Sequence, residues 1–203
     1  MKLKLRKLNV ILTALLFAVY SVYNIFIIYR GGASLSSQAI FISAVVALMY
    51  FVFTAFAVTA GVKPKDIRFL IGRRVAFIVA LLTVFALKLR MAGQVIAYLD
   101  FSKLYTVLYG CAYLATQIGL LLLLIYYIFI LKSLPFYPRA GVALPTVAAI
   151  LFLCGLALEA VLYFVYGIGL EMSPLRTIVM RPVFYLGMIG LSLYFLFPPQ
   201  TSK

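Results

Sequence analysis

The chain is expected to fold as an all-α, polytopic membrane bundle of six transmembrane helices, and three observations lead there. Of its 203 residues, 67% are apolar, and the mean hydropathy is +1.18, far above that of a soluble domain. The apolar residues gather into runs long enough to cross a bilayer, for which a helix needs about 20 residues. Lys and Arg sit mainly between the runs, where membrane topology accounts for them. Little sequence remains once the runs are removed, so residues 1–203 are read as a single transmembrane domain.

The first span, about 8–29, follows the basic head MKLKLRK. A signal peptide starts in the same way, but its apolar core is only about 7–15 residues and ends at a small-residue cleavage site. This run is longer and ends in IIYRGG, so it is read as a retained helix. Gly31, Gly32 and the serines to Ser37 turn into the second span, about 38–60. Gly61 suits a helix stop, and Pro64 fixes the loop beyond it.

Val62–Gly72, with Arg73 and Arg74, is the most basic connection and holds five positive charges. It reads as a cytoplasmic loop; Ile67, Phe69, Leu70 and Ile71 beside Lys65 and Arg68 also suit a segment lying on the membrane surface. The third span, about 74–98, and the fourth, about 104–131, flank the turn Asp100–Lys103. Pro135 and Pro138 break the chain before the fifth span, about 142–166. Gly167–Pro174 leads into the sixth, about 177–197.

Six spans place both termini on one side. That side carries twelve Lys and Arg against six on the other, so both termini are expected to be cytoplasmic. A plasma membrane, with compact loops and a basic head of bacterial type, is the expected location.

The net charge of +14 comes from 18 basic and four acidic residues. Nucleic-acid binders concentrate such charge on a polar face; here it lies between apolar runs, and no nucleic-acid partner is expected. The chain has no histidine, which removes His-ligated metal sites and His general bases. Its two cysteines, Cys111 and Cys154, are too few for a four-thiolate site and are read as inert packing residues, free cysteine being commonly a small buried hydrophobe. No cofactor and no metal site is expected.

The informative residues interrupt the apolar runs. Glu159 is the one carboxylate inside a span. A charge at the bilayer centre costs roughly 2.5–3.5 kcal/mol on insertion scales, so such groups face a bundle interior, a wet cavity or the interface. Counting from Arg73–Arg74, the helical rise places Lys88 and Arg90 about 21–26 Å along the third span, towards its outer end. Gln94 follows Arg90 by one turn. Glu159 lies about 25 Å along the fifth span by the same rise, on a face shared with Gly155, Tyr163 and Tyr166. Arg181 begins a stripe with Tyr185, Met188 and Ser192 on the sixth span. Tyr105, Tyr109, Tyr113 and Gln117 form a slowly turning stripe on the fourth.

Lys88, Arg90, Gln94, Tyr109, Tyr113, Glu159 and Arg181 therefore make the candidate ligand-binding set, in the outer half of the membrane. Two readings of it stand side by side. The basic groups can snorkel to headgroups or pair with Glu159 across helices, with the tyrosines as packing. Alternatively they line a vestibule, because intramembrane ionisable groups are by default functional candidates. One carboxylate cannot neutralise three bases, which points the second reading at an anionic small molecule or a lipid headgroup.

An enzyme needs a reacting group and its partner. No paired carboxylates, phosphate loop or nucleophile–base pattern is present, so no catalytic residue is assigned. A lipid-processing enzyme using Glu159 with Arg or Lys is the weakest of the readings.

Ala14 and Ala18, in ALLFA, form a small-xxx-small pair suited to close helix approach. This pair resembles the Ala-rich first helix of the substrate-binding subunits of energy-coupling-factor vitamin transporters, which are also six-span proteins of about this size. The resemblance covers those five residues and the architecture, and it implies a ligand held towards the outside. The expected function is non-enzymatic transport or binding of an anionic small molecule or headgroup from the outer side. The alternative is a structural, regulatory or sensor subunit, partnered by other membrane subunits or by further copies of the chain.

Overall fold

The computed structural model describes residues 2–31, 36–60, 67–90, 92–97, 99–130, 140–167 and 179–194. These residues form an all-α bundle with no strand among them. The helices are α1 (Lys2–Gly31), α2 (Ser37–Ala60), α3 (Ile67–Arg90), α4 (Ala92–Ala97), α5 (Leu104–Ile125), α6 (Ala140–Tyr166) and α7 (Arg181–Tyr194), and a π turn, Tyr126–Ile130, extends α5. Among the described residues, five stretches are long and apolar enough to cross a membrane: Leu8–Arg30, Ala39–Thr59, Ile71–Ala97, Leu104–Ile128 and Ala143–Tyr166.

Two boundaries differ from expectation. The third span is carried by two helices, α3 and the six-residue α4, with Met91 between them outside the described residues. In the sixth, a π turn at 179–180 leads directly into α7. The 14 residues of α7 extend about 21 Å, short of a roughly 30 Å core. Residues 177, 178 and 195–197 of the expected span lie outside the described residues.

The helices pack in the order α1, α2, α3, α5, α6, α7, and α7 returns to α1, closing a ring. Its middle is filled by aromatic side chains. Phe17, Phe53 and Phe77 are wholly buried, and the Phe77 ring lies 4.1 Å from Phe56 and 4.3 Å from Tyr127 between centroids. The outer surfaces carry exposed Ile, Leu, Val and Phe on every spanning helix, the inverse of a soluble surface and the arrangement that lipid accepts.

Backbone polar groups decide how the ring closes. Arg73 Nη1 donates to the Thr59 carbonyl at 2.6 Å, and Arg74 Nη2 to that of Tyr127 at 3.0 Å. Both carbonyls lie near the C-terminal end of the described part of a helical segment, where positive charge is favoured. The twin arginines thus fasten the ends of α2 and α5 to the start of α3. On the other seam, Ser21 Oγ donates to the Ala47 carbonyl at 2.8 Å, and Asn9 Nδ2 to that of Gly190 at 2.9 Å. Gly187 and Gly190 let α1 approach α7 closely: an added Cβ would lie 2.7 Å from Phe17 Cε1 at the first and collide with Thr13 Oγ1 at the second.

The cysteines correct the sequence reading. Both are free, as thiols rather than a disulfide, but both are exposed on helix surfaces rather than packed inside. In a membrane bundle the outside is itself apolar, so an unpaired cysteine has no need of the interior.

Candidate functional site

At the end of the bundle opposite Arg73 and Arg74, polar side chains from α3, α5, α6 and α7 come together. Arg181 opens α7 and Tyr185 follows one turn later on the same face. Glu159 meets both from α6. Arg181 Nη1 lies 3.2 Å from Glu159 Oε2, and the two side chains are 28% and 19% exposed. The Tyr185 hydroxyl donates to Glu159 Oε1 at 3.0 Å. One turn before Glu159, Gly155 makes room for this ring, since a Cβ there would come within 2.8 Å of Tyr185 Cε1.

The network continues into α5. Tyr185 Oη lies 2.9 Å from Thr116 Oγ1, and Thr116 also donates to the Ala112 carbonyl at 2.9 Å. Tyr185 has one hydrogen and gives it to the carboxylate, the stronger acceptor. Thr116 therefore shares its own hydrogen between Tyr185 and Ala112.

Lys88 joins from α3. Its ammonium lies 4.4 Å from the centroid of the Phe184 ring, within reach of a cation–π attraction, and that ring is 5.4 Å from Tyr185. The Lys88 carbonyl, in the last turn of α3, accepts the Tyr113 hydroxyl. Tyr113 in turn accepts Gln117 Nε2 at 2.9 Å. Because the tyrosine hydrogen is already used, the amide is fixed in that orientation. Gln117 Oε1 is then buried with no hydrogen-bond donor.

The structure thus brings together Lys88, Tyr113, Glu159 and Arg181 of the expected set. Tyr109 is half-buried one turn from Tyr113. Arg90 is exposed at the end of α3, outside the cluster. Gln94 lies in α4, with its side chain outside the described residues. Sequence reasoning missed Thr116, Gln117, Phe184 and Tyr185 as members. Gln117 and Tyr185 were on the right stripes; Thr116 and Phe184 carry no signal of their own.

Beyond the cluster, the α4–α5 turn is held by Asp100. Its carboxylate accepts the Ser102 hydroxyl at 2.7 Å and the Ser102 amide at 3.0 Å, and Lys103 Nζ is 3.4 Å away. The Ser102 hydroxyl first, then its amide and Lys103, hold the Asp100 carboxyl below the ordinary aspartate range.

No family model matches this chain, and neither a curated protein nor a solved structure matches it significantly. The likeness of Ala14–Ala18 to vitamin-transporter subunits gains nothing from these comparisons. What the chain does has to be read from the cluster itself.

Proposed function

We propose that the protein binds or transports an anion from the non-cytoplasmic side, the anion being a small molecule or a lipid headgroup presenting carboxylate or phosphate oxygens. One observation carries this reading: three helices, α3, α6 and α7, place Lys88, Glu159 and Arg181 in one linked cluster, two bases against the one carboxylate that the sequence puts within the spans. Intramembrane charges are costly wherever they serve no purpose. Tyr113, Gln117, Thr116 and Tyr185 surround these charges with hydroxyl and amide groups, while the far end of the ring is closed by aromatic packing. A cluster of charged and polar groups at one end of the bundle suits binding from one side.

The test is equilibrium dialysis of the protein in phosphatidylcholine nanodiscs, with benzoate and inorganic phosphate as soluble probes. Phosphatidylglycerol mixed into the disc, read by native mass spectrometry, supplies the headgroup arm. Saturable binding in one arm, weakened about tenfold or more in Lys88→Gln and unchanged in Arg90→Gln, supports the reading; tenfold corresponds to about 1.4 kcal/mol. Saturable binding in none of the arms, or equal losses in both variants, overturns it. A soluble-probe result identifies a solute site, and a phosphatidylglycerol result a headgroup site.

A further inference from the structure

We infer that the anion carries a hydroxyl group of its own, which enters the seam between α3 and α5 and donates to Gln117 Oε1. This rests on the anion-binding reading above and names the class of ligand the site takes. That class is a hydroxyl-bearing anion, either a hydroxy acid or the headgroup of a polyol phospholipid.

The acceptor is set by its neighbours. Gln117 is 7% exposed, and its Nε2 donates to the Tyr113 hydroxyl at 2.9 Å. Tyr113 gives its one hydrogen to the Lys88 carbonyl, so it can only accept from the amide. The opposite amide orientation would set Oε1 against an oxygen that has no hydrogen to offer it. Oε1 is therefore buried without a hydrogen-bond donor among the described residues. A buried acceptor left unmet carries its full desolvation cost, and a hydroxyl that reaches it removes that cost.

The packing around Gln117 supplies the way in. Thr116 and Gln117 are adjacent on α5, yet Thr116 turns to Tyr185 of α7, while Gln117 turns to α3 through Tyr113. Among the described residues, α3 and α5 are the most sparsely packed neighbours in the ring. At this level α3 also stops: it ends at Arg90, just past Lys88, and α4 starts at Ala92. Lys88 and Tyr113 are both only partly buried. A ligand entering here disturbs less packing than at any other seam of the ring. Its anionic oxygens meet Lys88 at the edge of the seam, and its hydroxyl meets Gln117 one turn inward of Tyr113.

Charge decides between a hydroxyl and an ammonium as the donor. Lys88, Arg181 and Glu159 together carry one net positive charge, which a single anion neutralises. A zwitterion whose ammonium supplied the hydrogen would leave that positive charge in place, in a low-dielectric setting where an uncompensated charge is costly. A hydroxyl supplies the hydrogen and brings no charge.

The experiment uses the full chain in phosphatidylcholine nanodiscs with two matched pairs of probes. Phosphatidylglycerol and phosphatidylmethanol share the phosphodiester charge, and only the first has hydroxyl groups; native mass spectrometry reads their retention. Glycolate and propionate share the carboxylate and differ by a hydroxyl against a methyl group; equilibrium dialysis reads their Kd. Wild type is expected to bind the hydroxylated member of one pair about tenfold or more tightly than its partner. A preference in the lipid pair identifies a headgroup site, and one in the soluble pair a solute site. Gln117→Met keeps the length of the side chain and removes the acceptor, and it is expected to bring the two members within about twofold of each other. Wild type that binds the hydroxylated member no more tightly than its partner overturns this inference, Oε1 then being served by water alone, and leaves the anion site standing; that comparison needs no variant to fold. A preference that persists in a folded Gln117→Met also overturns it. Failure of all four probes to bind removes the anion site, and this inference with it.

Discussion

Replacing Gly187 by alanine isolates the cost of crowding the α1–α7 seam. A Cβ at Gly187 would stand 2.7 Å from Phe17 Cε1, 3.1 Å from Cδ1 and 3.2 Å from Cζ. To reach an ordinary contact of 3.4 Å the ring must retreat by about 0.7 Å. It has nowhere to go: Phe17 is wholly buried, with Phe53 and Tyr50 rings at 5.2 Å and 5.8 Å. Overpacking of this kind costs about 1–3 kcal/mol. Alanine also favours a helix over glycine by about 0.5–1 kcal/mol, which would mask part of the loss.

Gly72→Ala removes that ambiguity. Gly72 lies within α3, and a Cβ there meets nothing within 4 Å. The helix-propensity gain is common to both sites, so the difference between the variants is the crowding alone, about 1–3 kcal/mol against Gly187→Ala. Reversible unfolding in mixed micelles titrated with SDS gives the comparison. With no tryptophan in the chain, tyrosine emission and far-UV circular dichroism are the probes. Adding Phe17→Leu to Gly187→Ala should recover part of the loss, a coupling that a double-mutant cycle reads directly. Equal stability of the two alanine variants, within about 0.5 kcal/mol, would refute the close approach of α1 and α7.

Tyr185→Phe removes the hydroxyl between Thr116 and Glu159; hydrogen bonds to charged groups are worth about 1.5–3 kcal/mol and intramembrane ones nearer 0.6, so a loss of about 1–2 kcal/mol is expected in the same unfolding assay. Ser102→Ala removes the largest contribution that lowers the Asp100 titration, so its NMR titration midpoint should rise. A depressed carboxyl stabilises the folded turn above the ordinary aspartate range, and that stability is lost as pH falls; amide protection in residues 99–106, taken relative to the intrinsic exchange rate at each pH, should therefore fall on acidification, and less so in Ser102→Ala. A thiol assay on protein purified without reductant should count two reactive cysteines, since Cys111 and Cys154 are both free and exposed; a count of zero would mean that they have joined.

Most of the fold was legible because the bilayer imposes one strong rule, about 20 apolar residues per crossing. That the described residues form long apolar helices with no strand follows from that rule. Depth counting also put Lys88, Glu159 and Arg181 at one end of the bundle, because rise per residue is nearly constant. Contacts were a different matter. Nothing in the local pattern says that Tyr185 rather than Tyr163 reaches Glu159; that depends on Gly155 leaving space on the facing helix. Arg90 and Lys88, two residues apart, were read as equivalent. A helix turns by about 200° over that interval, so one goes to the cluster and the other to the surface.

The central claim is that Lys88 and Arg181 are held within the bundle to meet an anion. Native mass spectrometry of the full chain released from its own membrane tests this most directly. One equivalent of an acidic adduct is expected on wild type, retained by Arg90→Gln and lost from Lys88→Gln. A bare polypeptide mass throughout, or an adduct held equally by all three proteins, would contradict it.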